Sequence, residues 1–79
     1  MYFISQDQFP ISYMKNKVKD ERLHQEISQT EFAEKLSVSR QTIHAIETGK
    51  YIPTTTLALK IARLLNKKVE EIFLLEKGD

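Results

Sequence analysis

Arg40, Gln41 and His44 bring a guanidinium, a carboxamide and an imidazole close together in the stretch SVSRQTIHAIETGKY, residues 37–51. Their shared chemistry is hydrogen bonding. Arginine offers a fork of donors, glutamine a donor beside an acceptor, and histidine either role at each ring nitrogen. Such groups can bond two atoms of a flat partner at once, arginine to guanine O6 and N7, glutamine to adenine N6 and N7. Ala45 beside them is small enough to allow close approach and to touch a thymine methyl. The bland reading of the same residues is the solvated face of an amphipathic helix. His44 and Glu47 also have the spacing of two metal ligands on neighbouring helical turns. Without cysteine, and with His24 the one other histidine, a tetrahedral zinc site lacks a full ligand set.

Catalysis has no comparable support. A nucleophile with its base, a carboxylate pair or a phosphate-cradling glycine loop would be needed. The two glycines, Gly49 and Gly78, lie in no such loop, and the serines fall at helix caps or in the first 13 residues. The chain reads as a non-enzyme, with no cofactor and no small-molecule ligand.

Helices must position the polar trio. Ser39 is a good N-cap for a helix over Arg40 to Thr48, which stops at Gly49, the residue that best tolerates a left-handed C′ position. At about 100° per residue, Ile43 and Ile46 share one side of this helix. Arg40, Gln41, His44 and Ala45 share the other, toward its N-terminal end. Before it, Ser28-Gln29-Thr30-Glu31 forms a capping box that opens a helix carrying Phe32, Ala33 and Leu36 inward. Ser37, Val38 and Ser39 form the short turn between the two. The remaining chain also reads as helical. Lys15 to about Gln25 is a charged helix with Val18, Leu23 and the stem of Arg22 facing in. A helix from Thr55 puts Leu57, Ala58, Ile61, Ala62 and Leu65 on one face and ends near Asn66. Val69 to about Leu75 makes a fifth, with Val69, Ile72 and Phe73 inward. No alternating strand pattern appears, so the expected fold is all-α. A one-sided helix joined by a tight turn to a capped helix is the helix-turn-helix arrangement, whose second helix enters the DNA major groove.

The stretch ISQTEFAEKLSVSRQTIHAIETGKYIPTTTLALKIARLL…VEEIF resembles the Cro/C1-type (XRE-like) helix-turn-helix regulators of phages and bacteria, over about residues 14–75. The resemblance implies a compact five-helix, lambda-repressor-like domain that binds double-stranded DNA. It matches Arg40, Gln41 and His44 to base-reading positions, with Ala45 beside them. It matches Gln29, Ser39, Thr42, Lys50 and Tyr51 to positions near the DNA backbone, Gln29 also bracing the reading helix. Arg22 and Glu47 match an internal ion pair between the first and third helices. The chain departs from the family at Ser37 and Glu26, where glycine is usual and positive φ is implied, at roughly 1 kcal/mol each. Glu21 stands where an apolar residue is common. The implied function is a transcriptional regulator, a repressor in the leading reading. An antitoxin or a co-activator-type interaction module on the same fold is the alternative.

Composition is compatible with this without selecting it. The 79 residues carry 12 Lys and Arg against 11 Asp and Glu, a net charge of +1, which neither demands nor excludes a polyanion. The absence of cysteine fits a reducing cytoplasm, and no apolar run reaches the roughly 18 residues of a membrane span. Residues 1–13 hold one charged residue, Asp7, and read as an appendage. It either lies upstream of a biological start at Met14 or acts as an apolar arm that pairs with a partner. The domain follows over 14–75, with a tail over 76–79. Lys15, Lys17 and Lys19 are either a solubilising run or phosphate contacts. One reading helix spans only a few base pairs, so a homodimer on a palindromic operator is expected. Leu59 lies roughly 160° from Ile61 on its helix, off the core-facing arc. With Leu74 and Leu75 it marks the expected dimer interface.

Overall fold

The structure is a computed structural model and describes residues 14–75. The readings made for residues 1–13 and 76–79 lie outside the described residues. Five helices, α1 (Val18–His24), α2 (Gln29–Leu36), α3 (Arg40–Glu47), α4 (Thr55–Leu65) and α5 (Val69–Ile72), are framed by two short strands, β1 (Lys15–Asn16) and β2 (Phe73–Leu74). The fold is mostly helical. Its core is drawn from every helix: Val18, Phe32, Ala33, Leu36, Ile43, Ile46, Ile61, Ala62, Leu65 and Ile72 are all buried. Leu57, Val69 and Phe73 pack against it half-buried.

Local chemistry explains where most helices start. Ser28 Oγ accepts from Glu31 N at 3.0 Å, Ser39 Oγ from Thr42 N at 3.1 Å and Thr54 Oγ1 from Leu57 N at 3.2 Å. Each bond satisfies one amide that the helix cannot.

The helix ends share one device. At four of them the chain turns through a residue with positive φ: Glu26 at 57°, Ser37 at 59°, Gly49 at 80° and Asn66 at 58°. The next amide then reaches back to a carbonyl of the last turn: Ile27 N to Arg22 O, Val38 N to Ala33 O, Lys50 N to Ala45 O and Lys67 N to Ala62 O. This is the Schellman closure. Glycine occupies one of the four positions, so Glu26 and Ser37 hold left-handed backbone at a steric cost. Ser37→Gly is therefore expected to raise stability by about 1 kcal/mol, lifting the melting temperature by roughly 4–8 °C in a domain of this size. An unchanged midpoint in a thermal melt would mean that the serine hydroxyl compensates the strain.

Three expectations need correction. The first helix does not begin at Lys15. Residues 15–16 pair antiparallel with 73–74, Lys15 opposite Leu74 and Asn16 opposite Phe73. Asn16 Oδ1 accepts from Val18 N at 3.1 Å, so α1 opens only beyond it. The last helix stops at Ile72 rather than Leu75, because Phe73 and Leu74 are extended in that ladder. Leu23 is 52% exposed rather than inward. Val18 and Arg22, one turn apart, take the buried side of α1, and Leu23 is rotated away from it.

Candidate nucleic-acid interface

Capping and burial present α3 with one face held and one face open. Ile43 and Ile46 are buried, whereas Arg40, Gln41 and His44 are exposed and line one shallow cleft. Ala45 and Thr42 on the same helix are half-buried. The hydroxyls of Ser39 and Thr42 lie 2.9 Å apart, so both are engaged at the start of the helix. Lys50 and Tyr51 are exposed in the loop after α3, where both amides converge on Ala45 O, at 2.9 and 3.2 Å. Arg40 and Lys50 thus flank α3 at opposite ends.

Behind the face runs a chain of polar contacts. Arg22 is 5% exposed, and its Nε donates to Glu47 Oε2 at 2.6 Å. Its Nη2 reaches Glu47 Oε1 at 3.2 Å and its Nη1 reaches Ile27 O at 2.7 Å. Glu47 Oε1 also accepts from Gln29 Nε2 at 3.0 Å. Gln29 Oε1 in turn accepts from Arg40 Nη1 at 3.0 Å. A guanidinium buried between α1 and α3 is thereby linked, through one carboxylate and one amide, to the first side chain of the exposed face. The amide suits this place because it accepts and donates at once. Charge-assisted, two-point contacts of this kind fix geometry more tightly than single neutral bonds.

His44 and Glu47, weighed above as a pair of metal ligands, part company: His44 is exposed, while the Glu47 side chain is buried on Arg22. Leu59, Leu74 and Leu75 come together at a different place. They line one open apolar groove of about 580 Å³, with Ile52, Ala58 and Phe73. Leu59 is 55% and Leu75 75% exposed, while Leu74 is half-buried in the ladder. Among the described residues, no helix is long and apolar enough to cross a membrane.

Sequence reasoning missed two polar residues that hold this arrangement. Asn16 Nδ2 donates to Ile46 O at 2.8 Å, and Gln25 Nε2 donates to Leu65 O at 2.9 Å. Neither carries a periodic signal, since a single side-chain amide bonded to a distant carbonyl leaves no pattern in the neighbouring sequence.

Comparison with known proteins agrees with the fold. A helix-turn-helix family model (HTH_3) matches residues 18–72. An uncharacterized HTH-type transcriptional regulator of Methanocaldococcus jannaschii is 52% identical over 66 residues, covering 84% of this chain and all of that protein. A second, from Bacillus subtilis, is 47% identical over 64 residues, covering 81% of this chain and 97% of the relative. The ImmF control region 10 kDa protein of Bacillus phage phi105 is 38% identical, over 77% of this chain and 73% of its own length. A candidate DNA-binding protein of Bacteroides fragilis, known from a crystal structure, shares the fold with a TM-score of 0.70 at 24% identity, over 77% of this chain and 98% of that one. With residues 18–72 matched, the capped helix pair among them, this chain belongs to the XRE-type helix-turn-helix family.

Proposed function

We propose that this chain is a sequence-specific regulator of transcription that binds double-stranded DNA and acts as a repressor by occupying a promoter. The observation that carries this reading is the exposed face of α3. Three side chains able to bond base edges share one cleft there, on a helix whose opposite side is locked in the core. Arg40 and Gln41 specify sequence, His44 and Ala45 adjoin them, and Gln29, Ser39, Thr42, Lys50 and Tyr51 lie where phosphates flank the groove. The protein acts in the cytoplasm and performs no catalysis. Selection of bound duplexes from random DNA tests the reading. A recovered consensus is the expected result, and enrichment of no sequence would overturn it.

The partner of the apolar groove is a second copy of this chain, and the operator is correspondingly palindromic. Two copies of α3 about one DNA turn apart supply the discrimination that a single helix lacks. Leu59, exposed at the groove, belongs to this interface with Leu74 and Leu75. Sedimentation should show a weak dimer that tightens on the operator, and Leu59→Glu should weaken both dimer and DNA affinity. One copy bound per operator at saturation, with Leu59→Glu unchanged in affinity, would overturn the dimer. The groove is also what favours the alternative, an antitoxin or co-activator that docks another protein there. A toxin gene beside this one would point to it.

A further inference from the structure

Three carbonyls near the end of α3, those of His44, Ala45 and Ile46, each accept a bond from the chain that follows. His44 O accepts from Thr48 N at 3.0 Å, Ala45 O from Lys50 N and Tyr51 N, and Ile46 O from Gly49 N at 3.0 Å. All these donors lie within the next few residues. A further one does not: Asn16 Nδ2, thirty residues away, donates to Ile46 O at 2.8 Å. The same amide nitrogen reaches Met14 O at 3.3 Å, and Asn16 Oδ1 accepts from Val18 N at 3.1 Å. The Asn16 backbone stands opposite Phe73, and Lys17 N donates to Ile72 O at 2.8 Å. One half-buried residue thus joins the start of α1 and the end of α3 through its side chain, and the strand that closes the domain through its backbone.

We propose that Asn16 is a positioning residue for DNA binding. Its donor side ties Ile46 O to the ladder, which fixes the end of the reading helix and the origin of the Lys50–Tyr51 loop, and so the register of the phosphate contacts made by that loop. The proposal rests on the DNA-binding reading above. Its acceptor side serves α1 alone, so the two roles can be separated by substitution. Asn16→Ser keeps a hydroxyl that can accept from Val18 N, but the side chain is one atom shorter than Asn16 Nδ2 requires. Asn16→Asp keeps the shape and the acceptor, and turns an oxygen without a proton toward Ile46 O.

The full chain and both variants should be titrated, well below their melting temperatures, with a duplex that the unaltered protein has selected from random DNA. Affinity is measured across a range of salt concentrations. Both variants are expected to bind about five- to tenfold more weakly. The slope of log affinity against log salt should become shallower by about one unit, the loss of one phosphate contact. A residue that served stability alone would leave that slope unchanged in folded Asn16→Ser, which, unlike Asn16→Asp, adds no charge of its own. Parent-like affinity and slope in both variants would overturn the proposal. So would a failure of both to fold, since Asn16 would then serve the whole domain rather than the end of α3. A parent that selects no duplex would instead defeat the DNA reading, and this proposal with it.

Discussion

Glu47→Ala is expected to remove roughly 3–5 kcal/mol of stability. A domain of the described length has a total of only about 3–9 kcal/mol, at about 0.05–0.15 kcal/mol per residue, so this variant should lose a large share of its stability and unfold at much lower urea. The cause is the partner left behind. Arg22 is held between α1 and α3 with its side chain 6% exposed, and without the carboxylate its charge stays buried with Ile27 O as its remaining acceptor. The measurement is a urea titration followed by circular dichroism. The sign of the effect belongs to the unpaired charge rather than to the pair, so removing both partners should cost far less. Arg22→Met combined with Glu47→Leu should regain most of the lost stability. It should not regain full DNA affinity, because Gln29 then has no carboxylate to hold it against Arg40. A single Glu47→Ala variant with a parent-like midpoint would show that water reaches Arg22 and replaces Glu47.

Gln41→Ala should separate recognition from attachment. Gln41 is exposed on α3 and its loss disturbs no core contact, so the fold should be unchanged. Affinity for the selected site should fall by roughly 1–3 kcal/mol, about one to two decades, with binding to a scrambled duplex nearly intact. Lys50→Ala should do the reverse. It should weaken every sequence alike and lower the salt slope by about one unit, as expected of a cation that meets phosphate. Competition titrations with both duplexes at several salt concentrations read out both patterns. If Gln41→Ala loses equally on both duplexes, the reading face lies elsewhere on the domain.

Most of the helical frame was legible because its signals are local. Ser28, Ser39 and Thr54 announce helix starts within four residues of chain, and Gly49 and Asn66 announce ends. The apolar spacing of Ile43 with Ile46, and of Ile61 with Leu65, fixes which sides are buried. The left-handed turns at Glu26 and Ser37 were legible only by resemblance, since neither residue type suggests positive φ. What could not be read was the non-local part. A strand of two residues has no period to detect, so Lys15–Asn16 and Phe73–Leu74 looked like continuations of the helices beside them. Tertiary pairing overrode local propensity there. The exposed trio on α3 was legible by geometry, whereas the assignment of Gln29 and Lys50 came from resemblance. The link from Gln29 to Glu47 was in neither, because it spans eighteen residues and joins two side chains that sequence reasoning had treated apart.

The β1–β2 ladder gives the domain a property beyond recognition. Lys15 and Leu74 are direct partners across it, which puts the points where the chain enters and leaves about 5 Å apart. A unit whose entrance and exit are neighbours can be spliced into a surface loop of another protein without prising that loop open. It can equally be closed into a ring with a short bridge and reopened at the exposed stretch around Lys67 and Lys68, keeping every helix intact. The architecture is in this sense portable: a cassette whose seam is tied to the end of α3 through Asn16.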